Sequence, residues 1–225
     1  DGDPFGEWSK TAKTHTLKDV KIELPLIPRT FYCVGLNYLK HLKEAADKAG
    51  TVPNVPDRPE IGYRAQNALI AHDENVVIPA SATEKIHYEG ELVVVIGKTA
   101  KHLTEANAMD CVFGYTIGND VSERSWQKAD RGLWRSKNAD TFKPMGPWIE
   151  TDLDPQDVSI VTRLDGEVAP CVGLVDTPAG RALRCALVTG TDGTPAPSLY
   201  ALLFGAERGR HHADALCDAV TRFEA

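Results

Sequence analysis

Along the chain, apolar residues gather in short runs broken by glycine, proline and polar turns. The clearest run closes KIHYEGELVVVIGK, residues 85–98, where Leu92-Val93-Val94-Val95-Ile96 predicts a buried central strand. FYCVGLNY predicts a short buried strand ending in a glycine turn, NVVIPA a second, VFGYTIGNDVS a third that breaks up at Gly118, and PMGPWIET a fourth after a Pro-Gly turn. VSIVTRLDGEV alternates like a half-exposed strand and runs into an Asp-Gly hairpin turn. Two segments carry helical signals. NYLKHLKEAADKAG sets Leu39, Leu42, Ala45, Ala46 and Ala49 in one stripe, with Asn37 to cap it and Gly50 to stop it. LTEANAMDCV opens on Thr104 as a capping residue and predicts a short helix. VPNVPDRPEIGY holds three prolines and predicts a loop. Many short strands with few helices predict an α+β fold, mainly β, arranged as a mixed β-roll or β-sandwich.

Length and charge narrow the classes. The 225 residues suffice for one large domain or a domain with an appendage. A net charge of −7 with no basic cluster argues against nucleic acid and against an anionic membrane surface. No apolar run approaches the ~20 residues that span a bilayer, and no charged-then-apolar leader opens DGDPFGEW. The five cysteines have no CxxC spacing, so neither a disulfide framework nor a zinc knuckle is indicated, and a cytoplasmic setting is expected. Cys33 and Cys111 lie in apolar runs and read as small buried hydrophobes. All 13 lysines fall at or before Lys143, which divides the composition. Residues 1–30 are read as a lead-in, 31–168 as the core, and 169–225 as a divergent segment.

The entrance of the central strand carries the chemistry. Residues two apart on a strand point to one side, so Glu89 and Glu91 face the same way beside an apolar run. The plain alternative is an exposed strand end with two solvated acids. Against it, Asp120 closes a second apolar strand, and acids held close raise one another's pKa unless a cation intervenes. Three carboxylates suit Mg²⁺ or Mn²⁺, or Ca²⁺ in a roomier site, and leave positions open for water or a chelating substrate such as a 2-oxo acid or 1,3-diketone. His87 would face the same side and is treated as a neighbour.

Cationic and polar residues follow. Arg124 and Gln127, three apart, share a face if their segment is helical, and Lys137 lies in the polar SKNADTF. Such donors suit the carboxylate and developing enolate charge of an anionic substrate; otherwise they form a solvated face. Trp126 and Trp134 read as packing residues. His41 and Glu44, three apart opposite the leucine stripe, could activate a water, or could be the polar side of an ordinary amphipathic helix.

FYCVGLNYLKHLKE, HYEGELVVVIGK, GYTIGNDVSERSWQ and SKNADTFKPMGPW, in that order, resemble the fumarylacetoacetate hydrolase family from about residue 17 to Val168. The resemblance implies that Glu89, Glu91 and Asp120 ligate magnesium (Mg²⁺) or Mn²⁺. It implies that His41 and Glu44 activate water from a lid, and that Arg124, Gln127 and Lys137 contact substrate, with Lys137 stabilising an enolate. It further implies a β-roll core, a homodimer, and cleavage, decarboxylation or isomerisation of 2-oxo acids and acylpyruvates. Hydrolysis of a C–C bond in an acylpyruvate is the leading expectation. Oxaloacetate decarboxylation, tautomerisation or hydroxy-diene-dioate isomerisation is the alternative, since all pass through an enolate, and an impaired remnant is a third reading. Beyond LDGEVAP the likeness fades. Thr191, in VTGTDGTPAPSL, matches a carboxylate-binding threonine, but the family's PGD turn is missing. The tail after it reads as an amphipathic helix rather than as strands.

Overall fold

A computed structural model describes residues 1–35, 39–55, 59–82, 85–104, 106–155, 160–169, 172–174, 182–183 and 186–188. The elements run β1 Tyr32–Gly35, α1 Leu39–Ala49, β2 Glu60–Tyr63, β3 Leu69–Ile70, β4 Val76–Val77, β5 Ile86–Ile96, β6 Val112–Asn119 and β7 Ser122–Glu123. Then come α2 Arg124–Gln127, α3 Trp134–Lys137, β8 Lys143–Glu150, β9 Val161–Leu164, β10 Glu167–Ala169, β11 Val172–Leu174, β12 Ala182–Leu183 and β13 Ala186–Val188. The result is the mainly β, α+β architecture that the short apolar runs predict.

The largest sheet has the order β11-β5-β6-β8-β3, with β7 also paired to β5. Its pairings are antiparallel except β3 with β8, so the sheet is mixed. β9 and β10 form the expected hairpin, and the turn needs positive φ at Asp165 (52°) and Gly166 (87°), which Asp-Gly supplies. β5 is the spine. Ile86 and Tyr88 on one side enter a core with Val76, Val121 and Phe142. Further along, Leu92, Val93 and Val95 enter a second core with Phe31, Tyr115, Ile117 and Met145. The side bearing His87, Glu89 and Glu91 thus continues into Val93 and Val95. Polar chemistry and apolar packing share one strand face, and the acids sit at its end.

Three local expectations are corrected. The proline-rich stretch is not loop throughout: Glu60–Tyr63 pairs with Tyr32–Gly35 as β2 with β1, a non-local pairing that local composition does not reveal. β6 does not break at Gly118, because backbone pairing to both Glu91 and Met145 carries it to Asn119. The helix expected from Thr104 shrinks to a 3₁₀ turn at Ala108–Cys111. There the side-chain oxygen of Asn107 takes the Thr104 N–H at 2.7 Å, a local bond that competes with helical pairing.

Candidate active site

Register brings the acids together. β5 pairs Gly90 with Asn119 on β6 and, at unchanged register, His87 with Ser122 on β7. Asp120 therefore lies opposite Glu89, and its N–H donates to Glu89 O at 2.9 Å. Like charges directly opposite on neighbouring strands are destabilising. Glu89 and Asp120 are nonetheless buried, and Glu91 is partly buried.

Cations from four places answer that repulsion. Arg64, which follows β2, grips Asp120 with two bonds, Nε to Oδ1 at 2.8 Å and Nη2 to Oδ2 at 2.9 Å. Lys137, at the end of α3, donates to Glu89 Oε2 and Asp120 Oδ2 at 2.7 Å each. Lys143, the first residue of β8, lies 2.9 Å from Asp120 Oδ1 and donates to the carbonyls of Val121 and Phe142, also at 2.9 Å. Arg124 pairs with Glu89 Oε1 through one nitrogen and donates through the other to Gln127 Oε1 at 2.9 Å. Arg124 and Gln127 therefore share the face of α2 expected of them.

Short helices aim these groups. Glu123, fully buried, caps α2 by accepting from the N–H groups of Ser125 and Trp126. Asp130 accepts from Ser136 N–H at 2.9 Å and its hydroxyl at 3.0 Å, which fixes the turn that carries Lys137. Trp126 packs on the core with the Arg135 guanidinium 4.0 Å from its ring centre. Trp134 does not pack: it is 58% exposed, because α3 is one turn long and turns its buried side, Ser136 and Lys137, inward.

The electrostatics follow. Burial alone would raise the Asp120 carboxyl, but Lys143, Lys137 and Arg64 hold it well below the ordinary carboxylate range. Burial would lower Lys137, yet Asp120 and Glu89 outweigh it and raise it. Burial pushes Lys143 down to about 8, with Arg64 and Lys137 acting the same way against Asp120. Burial, then Glu89 and Asp120, raise the Glu91 carboxyl well above its ordinary value. Among the described residues Glu91 has no hydrogen-bond or ion-pair partner.

A raised native carboxyl is a stability statement. The unfolded chain ionises near 4.5 while the native one keeps its proton, so Glu91 costs stability increasingly as pH rises above that value. Glu91→Gln in chelator-treated buffer is expected to match the parent melting temperature at pH 4 and to exceed it by a margin that grows as pH rises above the ordinary carboxylate range. A margin that stays flat or reverses would contradict the raised carboxyl.

His41 and Glu44 fall on the backbone of α1, but their side chains lie outside the described residues, as do Asn37 and Thr191. Cys33 is buried as expected, yet it is more than filler, since its thiol points at Asp120 Oδ2 across 3.7 Å. Two site residues escape the sequence reading, Arg64 and Lys143. Lys143 had a signal: a lysine inside the apolar TFKPMGPW has to find a partner if the strand is buried.

Among the described residues, no three carboxylate, histidine or cysteine side chains are gathered into a ready metal cage. The donor chemistry nonetheless fits a hard divalent cation. The carboxylates of Glu89 on β5 and of Asp120, just past the end of β6, already share one cation, the Lys137 ammonium, and the third, Glu91, has no hydrogen-bond or ion-pair partner among the described residues.

The chain is similar to known proteins over most of its described length. The model for the fumarylacetoacetate (FAA) hydrolase C-terminal region matches residues 30–174. The human mitochondrial oxaloacetate tautomerase FAHD2A is 38% identical over 164 residues, covering 65% of this chain and 50% of that protein. The 2-hydroxyhepta-2,4-diene-1,7-dioate isomerase structure from Mycobacterium marinum is 38% identical with a TM-score of 0.64, covering 75% of this chain and 60% of that one. The fumarylacetoacetate hydrolase of Exiguobacterium antarcticum is 34% identical with a TM-score of 0.56, covering 68% of this chain and 53% of that one. The chain spans roughly half to three-fifths of the curated relatives it matches, at 61%, 58% and 52% of three of them. Isomerases, tautomerases and a hydrolase are thus among its relatives, and the chain belongs to the fumarylacetoacetate hydrolase family.

Proposed function

We propose that this chain is an enzyme of enolate chemistry that tautomerises or isomerises small 2-oxo dicarboxylates. The observation that carries the reading is the Lys137 ammonium, buried and shared between Glu89 and Asp120 at 2.7 Å from each. A buried cation held in place meets the need of this reaction, which is a negative oxygen appearing where a carbonyl was. Glu89, Glu91 and Asp120 would hold a divalent cation, Mg²⁺ or Mn²⁺, which when bound supplies Lewis-acid polarisation of the substrate oxygens. Lys137 stabilises the developing enolate charge and can carry a proton to or from it. Arg124, kept planar against Glu89 and Gln127, binds and orients a substrate carboxylate by paired N–H donors. Thr191 is assigned the second carboxylate. Resemblance to an oxaloacetate tautomerase and a diene-dioate isomerase supports this direction over C–C cleavage.

Hydrolysis of an acylpyruvate is the second reading. What favours it is the similarity to a fumarylacetoacetate hydrolase, together with His41 and Glu44 lying three apart on α1, where the imidazole and carboxylate would activate water. Product analysis separates the two. The full chain with Mg²⁺ would be given enol oxaloacetate, a 2-hydroxy-diene-dioate and an acylpyruvate, and products followed by absorbance and mass spectrometry. A product of unchanged formula from either of the first two supports the proposal. A pair of acids from the acylpyruvate, with no isomerisation, selects hydrolysis. Released CO₂ from oxaloacetate selects decarboxylation.

A further inference from the structure

The carboxylate cluster is already neutralised by the protein's own side chains. Asp120 alone meets three cations: Arg64 on both oxygens, Lys143 on Oδ1 and Lys137 on Oδ2. These three differ in what they can do. Arg64 holds the orientation of Asp120 by itself, through two bonds in the plane of the carboxylate. Lys137 spans two acids at the end of a one-turn helix and stands where a bound cation would be shared. Lys143 does neither. Its side chain is 2% exposed, and the Val121 and Phe142 carbonyls tie its nitrogen behind Asp120, so it has no path toward a substrate.

We propose that Lys143 is a charge-setting residue: a buried cation fixed behind Asp120 that weakens the hold of Glu89, Glu91 and Asp120 on a divalent ion. The inference rests on the metal reading given under Proposed function. Lys143 and Lys137 contact opposite oxygens of one carboxylate. A divalent ion taking the place of the Lys137 ammonium would therefore feel Lys143 well inside a Debye length of ~8–10 Å, and through protein rather than salt solution. Repulsion there scales with the double charge of the ion. Arg64 remains to orient Asp120 when Lys143 is gone, so the loss of repulsion outweighs any loss of alignment. The site would accordingly take up its ion readily only when the negative charge of a substrate arrives with it.

Mn²⁺ binding to the full chain, read by titration calorimetry at fixed pH and ionic strength, tests this without any assay of turnover. Lys143→Met removes the charge and keeps the buried volume. Lys143→Gln keeps a donor for the Val121 or Phe142 carbonyl, which guards against a folding defect in the first variant. Both variants are expected to bind Mn²⁺ at least about tenfold more tightly than the parent. Equal or weaker binding by folded variants, with the parent still binding Mn²⁺, overturns the role of Lys143 and leaves the metal reading standing. Failure of parent and variants alike to bind Mn²⁺, both alone and with oxalate added as a dianionic chelator, overturns both.

Discussion

Replacing Lys137 by methionine is expected to reduce kcat for the enolate reaction by on the order of 10²–10³-fold, with a much smaller change in KM. That is the scale on which removal of a single preorganised donor to a developing oxyanion is felt. The prediction is about turnover rather than folding because of how the neighbours are arranged. Without Lys137, Glu89 keeps Arg124 and lies within 3.2 Å of the Ser122 hydroxyl, while Asp120 keeps Arg64 and Lys143. Neither acid is left buried and alone, so the variant should fold. Lys137→Arg keeps the charge but is too long and too planar to reach both acids from α3, and should recover little. Steady-state kinetics on the substrate identified by product analysis would check this. A kcat within a fewfold of the parent would remove Lys137 from the chemistry.

Arg64→Met should have the largest effect on stability, a loss of ~3–5 kcal/mol, the usual cost of removing one member of a buried ion pair. Two features put it at that scale. The pair is bidentate and almost fully enclosed, with both side chains 5% exposed. Arg64 also donates to the carbonyl of Tyr63 at 3.0 Å, which ties the end of β2 to the cluster. The pH dependence has a definite sign. Asp120 in the native state titrates well below its unfolded value of about 3.8. Its stabilisation is thus fully present above that value and is lost as pH falls from it through the native pKa. The penalty of Arg64→Met should be complete at pH 7 and shrink below pH 4. Urea unfolding at the two pH values measures it, and a penalty under 1 kcal/mol at pH 7 would mean that Lys143 and Lys137 suffice to hold Asp120.

What the sequence reveals here depends on distance along the chain. Glu89 and Glu91 are legible because strand periodicity is local, and the apolar run beside them marks where the strand lies. Asp120 is legible because it ends the next apolar strand, although only the register shows it directly opposite Glu89. Arg124 and Gln127 follow from helical spacing. Arg64 is not legible, since it reaches Asp120 only through β2, a strand that forms by pairing far upstream and hides in a proline-rich stretch. Lys143 stands in an apolar stretch, but its need for a buried partner shows only once the burial of β8 is known. Trp134 shows the converse, an aromatic residue expected inside that a single-turn helix leaves exposed. Motif resemblance supplied the family, whereas the neutralisation of the acids by the chain's own cations came from the geometry.

Crystals of the full chain grown with Mn²⁺ and oxalate, a two-oxygen mimic of a 2-oxo acid, give the most direct test of the central claim. An anomalous difference map should show one Mn²⁺ peak with carboxylate oxygens of Glu89, Glu91 and Asp120 within about 2.0–2.5 Å, and Lys137 turned from the acids toward the oxalate. A map with no peak at the three carboxylates, or with Lys137 still bridging Glu89 and Asp120 while Mn²⁺ sits elsewhere, would contradict it.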